Sequence, residues 1–361
     1  MREQAGPLDP EQRERLVGRV LSTTLGLGSL EPLLADPEVD EVMVNGAQAV
    51  YVERGGRLER TSVDLGSDAE VLHVIERILA PLGRRVDEAS PLADARLPDG
   101  SRVNCVIPPL SLDGPFLTIR RFRRRAFTAE ELVRLRTLTP EVRSFLEQCV
   151  RARVNVVVSG GTGSGKTTLL NVLSSLIDPG ERIITVEDAA ELRLQQPHVL
   201  RLESRPSNLE GRGEVTIRHL VRNALRMRPD RIVVGEVRGA EALDMLQALN
   251  SGHDGSMTTV HSNTAADALR RIETLALMAD VALPHRAVRQ QLASALDVVV
   301  HLARARDGGR RVQEVAEVVR FAGEVGVRTL YSHAENELPP GAVEAPGPSL
   351  RARLELPGAA S

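Results

Sequence analysis

Lysine is almost missing from this chain of 361 residues. A single lysine, Lys166, stands among 46 basic residues, and all the others are arginines. Tryptophan is absent, and two tyrosines and five phenylalanines bring the aromatic share to only 2%. The cores must therefore be built from Leu, Val, Ile and Ala, and no aromatic ladder is available to stack single-stranded nucleic acid. The formal net charge of −3 gives no overall attraction to a phosphate backbone. Two cysteines, Cys105 and Cys149, are too few for a disulfide framework and show no metal-binding spacing. No apolar run approaches the roughly 18 residues of a membrane span. The opening stretch MREQAGPLDPEQRERL is too polar for a signal peptide. The chain reads as cytoplasmic, with any contact to the inner face of the membrane made peripherally through a partner.

What is present suffices for two packed domains. Hydrophobic residues make up 42% and charged residues 26%, a balance that supports cores and argues against general disorder. Residues 1–29 read as a tail and a helix, with Leu16, Val20 and Leu21 at helical spacing. Residues 30–122 read as an α+β domain. EVDEVMVNG (38–46) and AVYVERGGRLER (49–60) alternate apolar and polar residues, so they read as paired strands ending in glycine turns. DAEVLHVIERILAPLG (68–83) is an amphipathic helix stopped by Pro81 and Gly83. SRVNCVIPP and PFLTIRRF are two further strands. Residues 123–150 read as a basic linker and two short helices, the first opened by the capping pair Thr128 and Glu131.

From residue 151 the texture changes. VNVVVS, RIITV, VLRL, RIVVG, SMTTVH and DVVVHL are short apolar strands, and amphipathic helices separate several of them. This alternation predicts an α/β domain over 151–333 with a mostly parallel sheet covered on both faces. Residues 334–361, rich in Pro, Gly and Ala, are expected to lack structure.

The lone lysine sits in GGTGSGKTT (160–168), which fits the phosphate-loop pattern G-x-x-x-x-G-K-[ST] between a buried strand and a helix. Gly160, Gly161, Thr162, Gly163, Ser164 and Gly165 let consecutive N–H groups face a phosphate, and the helix that follows adds its positive end. Lys166 supplies a compact charge that a broad guanidinium cannot replace in the same loop. Thr167 offers its hydroxyl to Mg2+, and Thr168 continues the cradle. ATP and Mg2+ are therefore the expected ligands.

Hydrolysis also needs carboxylates and a positioned water. RPDRIVVGEVRG (228–239) is a buried strand that ends in Glu236, with Gly235 where such strands ordinarily carry an acid. Glu236 is expected to serve the magnesium water shell, the attacking water, or both. IITVEDAAEL (183–192) delivers Glu187 and Asp188 to the same sheet edge. GSMTTVHSN (255–263) adds His261, placed to sense a γ-phosphate or hold a loop. His253, in a turn, is expected to be conformational.

These four stretches, in this order and spacing, resemble the type II/type IV secretion ATPase superfamily. LLADPEVDEVMVNG, VYVERGGRL, GRRVDEASPLADARLPDGSRVN and LTIRRF further resemble the CpaF family of tight-adherence pilus ATPases. The resemblance runs from about residue 30 to 332. It implies a RecA-like P-loop motor behind a smaller N-terminal α+β domain, assembled as a homo-oligomer, a hexameric ring. ATP hydrolysis would drive inner-membrane pilus or secretion platform proteins. Catalytic roles fall on Lys166, Glu187, Glu236 and His261. Arginines of the matched stretches (Arg96, Arg102, Arg120, Arg121, Arg123) become arginine-finger candidates, Arg120 first, with Arg228 and Arg238 second. No structural zinc and no direct nucleic-acid partner are expected.

Two other functions fit parts of the pattern. One is a type IV secretion ATPase that moves effectors or DNA. The other is an ATP-dependent scaffold or regulator with little turnover, which Gly235 keeps in play.

Overall fold

A computed structural model describes residues 27–121, 127–205, 207, 212–279, 281–305, 307–321, 324–333 and 343–355. The helix expected within 11–25 and the candidate Arg123 lie outside these residues. The chain divides into two compact units, Met1–Arg124 and Arg125–Ser361.

The first unit opens with a short helix, α1 (Glu31–Ala35), and builds one antiparallel sheet. Its strands are β1 (Val39–Asn45), β2 (Val50–Arg54), β3 (Arg57–Arg60), β4 (Leu92–Arg96), β5 (Arg102–Val106) and β6 (Phe116–Arg120), in the order β3-β2-β1-β6-β5-β4. The hairpin read from the sequence is there: β1 pairs with β2, and Gly55 and Gly56 turn β2 into β3. Val42, Val44, Val103, Cys105, Leu117 and Ile119 are buried at alternate strand positions, and they pack against Val71, Val74, Ile75 and Ile78 of helix α2 (Asp68–Leu79). Ser67 caps this helix by accepting from the Glu70 N–H. A 3-10 turn over Ala80–Leu82 and the left-handed Gly83 end it. Each fully buried Val, Leu or Ile contributes about 1.5–3 kcal/mol.

The second unit starts with α3 (Ala129–Arg134) and α4 (Pro140–Arg151). Thr128 and Glu131 form the expected reciprocal capping box on α3. The sheet then follows as β7 (Val156–Gly160), β8 (Ile183–Glu187), β9 (Val199–Glu203), β10 (Arg231–Val237), β11 (Met257–His261) and β12 (Val298–Arg304), all parallel. An antiparallel hairpin, β13 (Arg310–Phe321) and β14 (Glu324–Ser332), extends it beyond β12. The order is β14-β13-β12-β7-β11-β10-β8-β9. The phosphate-loop strand β7 thus lies in the interior, and the chain doubles back across it, as in RecA-like motors.

Helices cover both faces, as the apolar strands required. On one face α6 (Ile217–Ala224), α7 (Glu241–Leu249), α8 (Ala265–Leu277) and α9 (His285–Ala295) bury Val221, Leu246, Leu269 and Leu292. On the other, α3, α4 and α5 (Lys166–Ser174) bury Leu132, Leu146, Leu169 and Leu173. Among the described residues no helix is long and apolar enough to cross a membrane.

The amino ends of the strands are tied by buried polar groups. Arg231, 1% exposed, donates to both Glu181 oxygens at 2.7 and 2.8 Å and to the Val150 carbonyl at 2.8 Å. Asn155 joins three segments: its Nδ2 donates to the Ala295 carbonyl, and its Oδ1 accepts from the Gly255 and Ser256 N–H groups.

One expectation is corrected within the tail. Residues 343–355 are ordered on the second unit, ending in helix α10 (Pro348–Leu354). The Glu344 N–H donates to the Leu330 carbonyl of β14, and Leu350 is buried with the α4 and α5 core. Arg353 donates to both Asp297 oxygens at 2.7 and 2.8 Å. Composition suggested disorder because the segment carries little apolar material. Leu350, with Val343 and Leu354 packed beside it, the Arg353–Asp297 pair and the Gly347 N–H donating to Glu317 at 2.9 Å hold it to the second unit.

Candidate active site

The carboxyl ends of β7, β11, β10 and β8 bring together most of the residues singled out in the sequence. β7 ends at Gly160, the loop after it holds 161–165, and α5 begins at Lys166. Two glycines there are obligatory in this fold. A Cβ at Gly160, whose φ is +151°, would stand 2.3 Å from the Leu302 carbonyl oxygen. Gly165 takes φ +95° at the N-cap of α5. Gly161 and Gly163 face open space. The Lys166 ammonium, nearly buried, donates to the Gly161 carbonyl at 2.9 Å. Burial pulls its pKa down, Glu236 pulls it up, and Arg238 adds to the lowering. Thr167 and Thr168 are half-buried on the first turn of α5. Ser164 Oγ is buried without a partner among the described residues.

β10 carries a bulge at the site. Val234 pairs with Thr258 and Val237 with Val260, so β10 spends one extra residue there. Gly235 and Glu236 occupy the irregularity, and Thr259 Oγ1 fixes it by donating to the Gly235 carbonyl at 2.8 Å. Glu236 accepts from Arg238 at 2.6 Å and lies 3.6 Å from His261 Nδ1. Burial raises its pKa. The Arg238 hydrogen bond and the charges of Arg238, Lys166 and His261 outweigh that, leaving the carboxyl below its ordinary value.

Glu187 ends β8 in a different environment. It is 3% exposed, and its Oε1 accepts from the Glu191 and Leu192 N–H groups at 2.9 Å each. Its Oε2 has no partner among the described residues. Burial pushes the carboxyl up to about 7, against the two N–H donors and the Arg201 charge. Asp188 is exposed, accepts from Ser204 Oγ at 3.1 Å and lies 3.7 Å from Arg238.

His261 ends β11 and joins two parts of the site. Its Nε2 is 3.2 Å from Thr162 Oγ1, on the loop, while Nδ1 faces Glu236. Among the described residues His253 hydrogen-bonds near its own turn, to Ser251 Oγ and the Ala248 carbonyl.

The arginines divide. Arg238 is in the site. Arg228 precedes the amino end of β10, a strand length from Glu236. Arg120 is exposed at the end of β6 in the first unit, and Arg121 there donates to the Asp36 and Val39 carbonyls. Two contacts to the loop region were not foreseen. Arg310 of β13 donates to the Gly163 carbonyl at 2.9 Å, and His301 of β12 hydrogen-bonds Ser159 Oγ at 3.0 Å. Both lie more than 140 residues from their partners, where no local spacing signals them.

The residue types suit a magnesium nucleotide: the start of α5, the Lys166 ammonium, Thr167 on the first turn and the ionised Glu236 lie at one sheet edge, and Gly161 and Gly163 leave open space there.

The type II/IV secretion system protein family matches residues 23–335 of the sequence. The chain belongs to that family. A Mycobacterium tuberculosis protein named for conjugal transfer is 41% identical over 324 residues, covering 88% of this chain and 91% of that one. The type IV secretion system protein PtlH of Bordetella pertussis is 37% identical, covering 81% of this chain and 94% of its own. Among solved structures, the pilus retraction motor PilT with bound ADP superposes with a TM-score of 0.57 at 20% identity, covering 80% of this chain and 81% of that one. That likeness concerns the fold, and it agrees with the RecA-like sheet of this secretion ATPase family member.

Proposed function

We propose that this chain is an ATPase that binds Mg2+-ATP on the 160–168 loop and hydrolyses it to drive a membrane-bound secretion or pilus machine as a hexameric ring. The observation that carries the reading is the convergence of Lys166, Glu187, Glu236 and His261 at one sheet edge around a phosphate loop.

The two carboxylates have opposite electrostatics, and this divides the labour between them. Glu236 stays ionised beside Arg238, so it suits holding the magnesium water shell and orienting water. Glu187, at about 7 with one oxygen unpartnered, suits taking a proton near neutral pH. Mg2+, when bound with Thr167 and Glu236, supplies charge neutralisation on the phosphate oxygens. Lys166 is the cation for the β and γ phosphates, and Arg120 is the proposed arginine finger.

The finer reading, by the sequence resemblance, is assembly of a tight-adherence pilus on an inner-membrane platform, from the cytoplasmic side. The names of the Mycobacterium and Bordetella relatives favour a second: a type IV secretion or conjugal transfer ATPase. Deleting the gene and scoring surface pili and DNA transfer separates the two.

The chemistry is tested by steady-state ATPase activity of wild type, Lys166→Ala and Glu236→Gln against protein concentration, with light scattering alongside. Turnover per subunit should rise as rings form. Both variants should lose it, while Glu236→Gln still binds ATP. Tight binding with negligible turnover in wild type would instead make the chain a nucleotide-dependent scaffold.

A further inference from the structure

Arg310 begins β13, just after the turn that leaves β12, and its side chain reaches back to the phosphate loop. Its Nε donates to the Gly163 carbonyl at 2.9 Å, which fixes the guanidinium plane beside the loop. Its stem lies along the start of α5: a Cβ at Gly165 would stand 3.3 Å from Arg310 Cδ and 3.9 Å from Cβ. The turn that presents it is tightly closed. The Ala305 N–H donates to the Gly309 carbonyl, the Gly308 N–H to the Ala305 carbonyl, and the Gly309 N–H to Asp307 Oδ1. The two Nη groups have no partner among the described residues, although the neighbouring Arg311 is paired with Asp307. A fixed, half-exposed guanidinium with free donors is the kind of surface that takes a planar, electron-rich ring or an anion.

Within the second unit, the described aromatic rings and the histidines beside the loop are committed elsewhere, and His301 is buried against Ser159 Oγ. Phe127, Phe145 and Tyr331 belong to the core under α4 and α5. His261 is committed to Thr162 and Glu236.

We infer that Arg310 is a nucleotide-binding residue whose guanidinium recognises the nucleoside part of the ligand, by stacking on the base and donating to its rim. The inference rests on the proposed phosphate-loop reading and sharpens it. The phosphates would be held by the loop and Lys166, and the base by Arg310. The site would then prefer nucleotides over bare polyphosphate of equal charge.

The test measures equilibrium binding of ADP, ATP and inorganic tripolyphosphate, each with Mg2+, to full-length wild type, Arg310→Ala and Arg310→Lys. Thermal unfolding without ligand identifies any variant that fails to fold, and Arg310→Lys keeps the charge if Arg310→Ala is lost. Arg310→Ala should weaken ADP and ATP about tenfold while tripolyphosphate stays within about twofold. Arg310→Lys should lose most of the same nucleotide affinity, because it keeps a charge but not the plane. An equal loss for nucleotide and tripolyphosphate overturns the inference and makes Arg310 a brace of the loop, with the phosphate site intact. Unchanged nucleotide binding also overturns it. A wild type that binds neither ligand sinks the phosphate-loop reading itself.

Discussion

A β-carbon on Gly235 would stand 2.9 Å from Cγ of Glu187 and 3.4 Å from its Cβ and Oε1. The two residues are neighbours because β8 and β10 run parallel, with Val186 beside Val234 one step earlier. Glu187 needs that space: its side chain folds over β10 while Oε1 holds the N–H groups of Glu191 and Leu192. The glycine at this strand position is therefore a packing requirement of the neighbouring acid, and Glu236, one residue on, is turned by the bulge toward Arg238 and His261.

Gly235→Ala tests this relationship. Glu187 must move by several tenths of an ångström or leave its two N–H donors. Turnover should fall at least tenfold with nucleotide affinity nearly unchanged. Denaturant unfolding should show about 1–3 kcal/mol of lost stability, typical of an overpacked interior. Wild-type turnover in this variant would mean that Glu187's position does not matter for the chemistry.

Much of this site was legible in the sequence, and the parts that were not share a cause. The loop, its lysine and the acids after apolar strands are local signals, because a strand–turn–helix unit writes its chemistry within about ten residues. The same holds for the β1–β2 hairpin and the glycine stop of α2, which the structure reproduces. Arg310, His301 and the reason for Gly235 depend on which strands become neighbours, and that order is set by packing across the whole sheet. The tail was misread for a related reason. Residues 343–355 have no core of their own, and composition cannot report the surface on which Leu350 and Arg353 settle.

The Glu187 carboxyl carries a pH signature. Its folded value of about 7 lies above the ordinary 4.5. Between these values the unfolded chain has lost a proton that the folded chain keeps, so stability falls as pH rises through that window and levels off above it. The contribution is about 3 kcal/mol at most. Glu187→Gln should flatten that slope when denaturant unfolding is followed from pH 5 to 8. Parallel curves for the two proteins would show that burial does not hold the proton.

His261 links the loop to Glu236, with Nε2 3.2 Å from Thr162 Oγ1 and Nδ1 3.6 Å from the carboxylate. His261→Ala should lower turnover about tenfold or more while ATP still binds. Thr162→Val should lower it less. If the two act through their mutual hydrogen bond, the double variant will be little worse than His261→Ala alone. Effects that simply add would show that His261 works through Glu236 and owes nothing to Thr162.

At the other end of the sheet, Arg353 fastens the carboxyl-terminal segment. Its Nη1 donates to both oxygens of Asp297, and its Nη2 to the Arg153 carbonyl and Asp254 at 2.9 and 3.0 Å. Asp297 also accepts from the Asn155 N–H at 2.8 Å, just before β7. Burial raises its pKa, and Arg353 is the chief opposing influence. Arg353→Ala leaves a half-buried carboxylate with one backbone donor, and should cost about 1–3 kcal/mol. The loss should deepen as pH rises above about 4, because ionising Asp297 in the folded chain then goes uncompensated. Adding Asp297→Asn should recover part of it. ATP affinity should stay at the wild-type level in both variants, since these residues sit at the amino ends of β7 and β12 and the loop at the carboxyl end. Lost ATP binding in a stably folded Arg353→Ala would mean that the segment acts on the site as well as on the fold.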